Sequence, residues 1–336
     1  MNVPLPDGFD VWPVVDELRD ISGVVTVTLG GSWASGRQRP DSDVDLGLYY
    51  RADASLDVDA VRQIARQLND TPDPVVTDIG IWGQWVNGGS WLTIGGQRVD
   101  FLYRDLDFVT STIDDVLTAS GRSRSDFWQQ APYGFHPQIY CAEARCAVPL
   151  WDPDGFIAVL KQKVAVYPEV MKRKAVSGWL WGARFNLANV KQTADRGEAY
   201  LVLGHLTRAA TEMIQALYAL NETYFMNDKY VYRDIVEFEI APANFMARID
   251  ALMCGDNSPA DLWRRIDEAR ALHRPSRARP SSRYTGGHEP GRLAHSLRVS
   301  PERRRTWPTT RPSSTSSSSG TQTAATRMLL TARRRR

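Results

Sequence analysis

A chain of 336 residues exceeds the usual single-domain range, and with 43% hydrophobic and 24% charged residues it has the composition of a protein that buries a substantial core. No apolar run approaches the roughly 18 residues a membrane span needs, and MNVPLPDGFDVWP lacks the basic and apolar regions of a secretory signal, so no membrane insertion and a cytoplasmic location are expected. The net charge of +2 hides an uneven distribution: residues 273–336 hold 15 Arg, no Lys and only Glu289 and Glu302, a balance of +13 that leaves −11 for residues 1–272, and so acidic a body argues against nucleic acid as a partner.

The predicted elements begin with short β-rich runs. VVTVTL (24–29), DVDLGLYY (43–50), SWLTI (90–94) and QRVDFLYR (97–104) carry the β-branched and aromatic residues of strands, while AVRQIARQLND (60–70) has helical spacing. Gly95 and Gly96, between two of the strands, mark a hairpin turn. Residues 1–150 therefore read as a mixed sheet with helices against it. LWDPDG (150–155) reads as a hinge, beyond which come the long helical stretches GFIAVLKQKVAVY, VMKRKAVSGWLWGARFNLANVKQTA and EAYLVLGHLTRAATEMIQALYALNETYF, the last two separated by RGE at 196–198. That pattern predicts an antiparallel helical bundle over 151–272 and an α+β fold class overall. Apolar periodicity stops after SPADLWRRIDEARAL, and the Arg-, Ser- and Pro-rich residues 273–336 cannot bury a core, which predicts a disordered tail. A lysine-free stretch of this kind is also what out-of-frame translation of a GC-rich gene gives. Cys141, Cys146 and Cys254 lack CxxC spacing and read as buried free thiols.

The chemistry is concentrated in VTLGGSWASGRQRPDSDVDLGLYY, where a strand runs into Gly30, Gly31 and Ser32, passes a short helical turn and returns as an acidic strand. Glycines at a strand end let the backbone approach a phosphate, and N–H groups at the following helix start favour an anion. Ser32 adds a hydroxyl donor. Asp43 and Asp45, two residues apart on a strand, point to one side while Val44 and Leu46 enter the core. Two carboxylates on one side repel unless a hard divalent cation sits between them, and magnesium bridges carboxylates to triphosphate oxygens. Asp100, flanked by Val99 and Phe101 on a later strand, completes the cluster if the strands are neighbours. Three such carboxylates support two-metal chemistry at phosphorus, with Asp43 and Asp45 binding both ions and Asp100 holding the catalytic one near the acceptor hydroxyl, whose proton it can take.

Glycine-glycine-serine, then ten residues, then Asp-x-Asp, then a later strand aspartate resembles the DNA polymerase β-type nucleotidyltransferase superfamily, and more closely its small bacterial branch of aminoglycoside, lincosamide and minimal nucleotidyltransferases. The match covers residues 20–105. The resemblance implies magnesium-dependent transfer of a nucleoside monophosphate, AMP from ATP, to a small hydroxylated acceptor lying between the sheet and the helical bundle, such as an aminoglycoside-like antibiotic. Alternatives in the same class are transfer to tRNA or to a protein hydroxyl, as in toxin–antitoxin systems; outside it stands a catalytically silent nucleotide-binding module, which a missing carboxylate would reveal. Many members carry Arg after the Ala of the glycine motif; this chain has Ser35, which leaves Arg37 or Arg39 to supply a cation facing phosphate.

Several residues admit two readings. Glu143 is either an alternative base at the acceptor pocket or a solvated helix glutamate. Lys229 either reaches the triphosphate from the bundle or satisfies the dipole at a helix C-terminus. His205 reads as a bundle hydrogen-bonding residue, and His136 has no role legible in the sequence. Trp82, Trp85 and Trp91 either stack on a base or pack in the core.

Overall fold

Strands form where β-branched and aromatic residues sort by period two onto the faces of a sheet. The computed structural model describes residues 3–121, 125, 126, 129 and 132–273. In it β1 (Val24–Leu29), β2 (Val44–Tyr50), β3 (Val75–Val76), β4 (Gly89–Ile94), β5 (Gln97–Asp105) and β6 (Val148–Trp151) make one mixed sheet in the order β3-β4-β5-β2-β1-β6. β2 and β5 run parallel, and the other neighbours are antiparallel. Gly95 and Gly96 turn the β4–β5 hairpin with φ of +58° and +80°, a left-handed pair that suits glycine.

One face of the sheet is covered by α1 (Trp12–Arg19) and α3 (Val58–Leu68). Val44, Leu46 and Leu48 of β2 and Val99, Phe101 and Tyr103 of β5 are fully buried there, against Val14, Val15 and Leu18 of α1 and Val61 and Ala65 of α3. Each such side chain contributes about 1.5–3 kcal/mol by leaving water. Asp57 caps α3 by accepting from the Ala60 N–H at 3.0 Å, which satisfies a donor the helix itself leaves open. Residues of the other parity in β2 and β5, namely Asp45, Gly47, Tyr49, Asp100, Leu102 and Arg104, face the opposite way.

The second face meets helices. α2 (Gly31–Ala34) follows β1; α4 (Leu106–Leu117) and α5 (Ile139–Cys146) follow β5; α6 (Phe156–Lys163), α7 (Glu169–Asn189), α8 (Lys191–Asp195) and α9 (Ala199–Leu220) follow β6. After them come a 3₁₀ turn (Asp228–Tyr230), α10 (Val231–Glu237), α11 (Phe245–Met253) and α12 (Pro259–His273). α9 is the centre of this half: every residue from Ala209 to Ala219 is buried. α7 lies antiparallel to it, with Asn186 donating to Glu212 at 3.0 Å and meeting His205 at 3.1 Å. Tyr49, Trp85 and Leu106 join the same apolar cluster as α5, α7 and α9, so the helices and the sheet share that core.

Two local expectations change. Leu150 and Trp151, read as a hinge, belong to the edge strand β6, whose Val148, Pro149 and Trp151 pair with β1. The long stretch ending in KQTA is divided at Val190 into α7 and α8, and the break at RGE holds, with Gly197 at φ +69°. Cys141 is buried as expected, Cys146 is partly exposed and Cys254 is exposed. The expected disordered tail lies, apart from His273, outside the described residues. Among the described residues no helix is long and apolar enough to cross a membrane.

Candidate active site

The parallel pairing of β2 and β5 sets Asp45 directly beside Asp100, and Asp43 enters one residue before β2 on the same side. One carboxylate oxygen from each of Asp43, Asp45 and Asp100 lies within 4.8 Å of the others. The electrostatic cost is visible in their proton affinities. Asp45 is pushed up to about 7, first by burial and then by the charges of Asp43 and Asp100, with Lys229 pulling the other way. Asp100 is pushed up to about 6 by burial and by Asp43, with Arg98 opposing. Three converging carboxylates, two of them reluctant to ionise, form a hard oxygen donor set that a divalent cation such as magnesium fits.

The glycine motif closes over this cluster. Gly30 N–H donates to the Asp45 carbonyl oxygen at 2.8 Å, which ties the end of β1 to β2. Gly31 has φ +59°, and a Cβ there would fall 1.6 Å from Asp45 Oδ2, so only glycine lets the backbone pass so near the carboxylate. The single turn of α2 places Ser32 in a buried position, and its Oγ has no hydrogen-bond partner. A buried hydroxyl in that state is unusual in a folded protein and is available to an incoming ligand.

Around the triad the helices contribute polar groups. Arg104, on the same face of β5 as Asp100 and 5% exposed, is held in a two-pronged ion pair with Glu143 of α5, at 3.2 and 3.1 Å. Glu143 is therefore an ion-paired residue at the site rather than a solvated glutamate. With Thr28, Gly31, Asp45 and Gly47 this pair lines a crevice of about 30 Å³ behind the cluster. Lys229 sits in the 3₁₀ turn rather than at the end of a long helix. Its Nζ lies 5.2 Å from the Tyr230 ring centroid, and its charge acts on Asp45. Asp228 beside it is pushed up to about 6 by burial.

Arg37 does not serve as the expected phosphate-facing cation: both of its terminal nitrogens lie 3.1 Å from the carboxylate of buried Asp234, with Tyr230 below the guanidinium at 4.7 Å. Arg39 is exposed, and its backbone exchanges hydrogen bonds with Ser42, the N–H donating to Ser42 Oγ at 2.8 Å and the carbonyl oxygen accepting from the Ser42 N–H at 3.0 Å. His205 makes the expected bundle hydrogen bond, to Asn186. His136 is buried against Ser125, Trp179 and Phe225 and pushed down to about 4 by burial and the charge of Arg208, a neutral core imidazole. Trp85 packs in the core against Phe135, whereas Trp82 and Trp91 stack on each other at 4.9 Å with Trp91 half exposed. Arg104 and Asp234 were missed in the sequence; for Arg104 the signal was its even spacing from Asp100 along one strand.

Residues 14–82 match the family described as nucleotidyltransferase domain, a span that holds the glycine motif, Asp43 and Asp45 and ends before Asp100. No curated protein matches the chain. Among solved structures it is similar to a nucleotidyltransferase-like protein from Exiguobacterium sibiricum, at 10% identity and a TM-score of 0.41 over 77% of this chain and 71% of that one.

Proposed function

We propose that the chain is a nucleotidyltransferase of the DNA polymerase β-like superfamily that transfers AMP from ATP to a hydroxyl of a small acceptor, such as an aminoglycoside-like antibiotic, with release of pyrophosphate. The observation that carries this reading is the convergence of Asp43, Asp45 and Asp100 within 4.8 Å beside a glycine turn that leaves a buried hydroxyl free. Asp43 and Asp45 would hold two magnesium ions and Asp100 one of them. When bound, such ions neutralise phosphate oxygens and acidify the acceptor hydroxyl.

The protein's own groups have separable tasks. The backbone at Gly31 and Ser32 Oγ bind the β- and γ-phosphates, because N–H and O–H donors favour an anion, while the Gly30 N–H stays on the Asp45 carbonyl oxygen. Lys229 adds a positive charge from the bundle side. Asp100 takes the acceptor proton as a positioned carboxylate base. Glu143, fixed by Arg104, is the next group able to do so. In the balanced step the acceptor O–H gives its proton to the carboxylate, the new O–P bond forms, and the bond from the α-phosphorus to the bridging oxygen breaks, leaving with pyrophosphate. The acidic body of residues 1–272 favours a cationic acceptor.

The test is pyrophosphate release from ATP and Mg²⁺ against a panel of aminoglycosides, tRNA and lysate protein. Turnover on an aminoglycoside supports the reading. Turnover confined to tRNA or protein removes the acceptor assignment, and no Mg²⁺-dependent ATP binding removes the function.

A further inference from the structure

Trp91 of β4 stands directly opposite Asp100 of β5, which stands directly beside Asp45 of β2. Residues directly paired across a ladder share a face of the sheet, so the triad face carries one row: the Gly30–Gly31 turn, Asp45, Asp100, Trp91. Neighbouring strands lie about 4.8 Å apart, which puts Trp91 a single strand spacing from Asp100. The opposite parity confirms the side, since Leu92 and its partner Val99 are buried on the far face.

Trp91 is 53% exposed and yet held in position. The Trp82 ring stacks on it with centroids 4.9 Å apart and planes inclined by 22°. Trp82 itself rests over Gly89, where a Cβ would come within 2.9 Å of the indole. Gln129 pins the loop by donating to the carbonyl oxygens of Trp82 and Val86 and accepting from the Trp85 N–H. A large indole held by a stacking partner yet half in water beside an acidic cluster offers a flat apolar face to a ligand.

The chemistry decides what lies there. In an in-line displacement the nucleophile enters opposite the leaving group. Pyrophosphate departs toward the glycine turn, at one end of the row, so the acceptor hydroxyl must arrive from the other end, over Asp100 and Trp91. The nucleoside is attached through an oxygen perpendicular to that axis and so is not led onto Trp91. A saccharide ring suits the surface: its flat C–H face packs on an indole while a hydroxyl on its edge reaches Asp100 one strand away, and a protonated amino substituent gains attraction from the ring. An anionic acceptor would meet the acidic body unaided.

Resting on the nucleotidyl-transfer reading above, we propose that the stacked Trp82–Trp91 pair is the acceptor platform, on which a neutral or cationic saccharide ring lies with its edge hydroxyl turned toward Asp100. Indole N–H resonances of ¹⁵N-labelled protein are followed while methyl β-glucosaminide, methyl β-glucoside or adenosine is added, with and without Mg²⁺ and a non-hydrolysable ATP analogue. The glucosides should shift the Trp82 and Trp91 signals. Trp91→Ala, which truncates a half-exposed side chain, should weaken glucosaminide binding about tenfold or more, Trp91→Phe should restore most of it, and affinity for the ATP analogue should stay within about twofold in both. If the glucosides leave both indoles unmoved, or Trp91→Ala binds them as wild type does, the proposal is wrong. If Trp91→Ala instead loses the ATP analogue, or adenosine alone shifts the pair, the platform holds the donor base and the proposal is equally overturned. Failure of the analogue to bind wild type refutes the nucleotidyl-transfer reading, and the glucoside titration without nucleotide still decides the platform.

Discussion

Asp45→Asn should make the metal-free protein more stable while abolishing metal-dependent nucleotide binding. Asp45 is raised from 3.8 to about 7 by burial and by Asp43 and Asp100, a shift whose ceiling is about 4 kcal/mol at 1.36 kcal/mol per unit. Partial solvent access and relaxation of the two neighbours reduce this to roughly 1–2 kcal/mol. Because the folded-state value lies above the unfolded one, the folded protein binds more protons between pH 4 and 7. Stability of the metal-free wild type therefore falls as pH rises through that window, and the penalty is fully developed above it. Asparagine keeps the shape and removes the charge. At roughly 2–4 °C per kcal/mol for a chain of this size, the variant should melt about 2–8 °C higher than wild type in EDTA at pH 8. At pH 5, where wild-type Asp45 is protonated, the gap should close, and excess Mg²⁺ should raise the Tm of wild type alone. Scanning fluorimetry under these conditions reads all three effects. A variant that melts at or below wild type in EDTA at pH 8 would refute the account of the cluster as a strained, metal-requiring donor set.

Asp100→Asn should separate binding from chemistry: calorimetry should still register Mg-ATP, held by Asp43, Asp45 and Ser32, while pyrophosphate release with a confirmed acceptor falls by about 10³-fold. Turnover within about tenfold of wild type would transfer the role of base to Glu143. Since Asp45 and Asp100 are pushed up to about 7 and 6, Mg²⁺ binding at pH 6 should expel protons. Calorimetry in buffers of different ionisation enthalpy should detect a release that fades above pH 8; a pH-independent enthalpy would contradict the shifts. Arg104→Met leaves Glu143 beside the crevice without its partner and should cost about 2–4 kcal/mol in a urea titration, with Glu143→Gln in the same background recovering part of it.

The strands on either side of the hairpin, and the buried parity of Val44, Leu46, Val99 and Phe101, were legible because period-two patterning is a local property of the chain. So was the Asp43/Asp45 pair, whose common direction follows from spacing alone. The adjacency of Asp100 was not: the neighbour of β2 is fixed by a crossover of some fifty residues, and no local feature of QRVDFLYR says which strand it will flank. The resemblance to a superfamily supplied that step. β6 escaped notice for a related reason. VPLW is half-buried throughout and carries a proline, which a strand tolerates only at an edge, and its pairing with β1 reaches across more than a hundred residues. Glu143 and Lys229 show the remaining limit. Glu143 reads alone as a solvated helix glutamate and Lys229 as a helix-terminal charge, and each acquires meaning from a partner distant in sequence, Arg104 for one and Asp45 for the other. Trp82, Trp85 and Trp91 carry the argument furthest: three indoles within ten residues look alike in sequence, but the register of β4 against β5 turns Trp91 to the triad face while Trp85 is taken into the core. Which face of a sheet a residue occupies is settled only when the strands have found their neighbours.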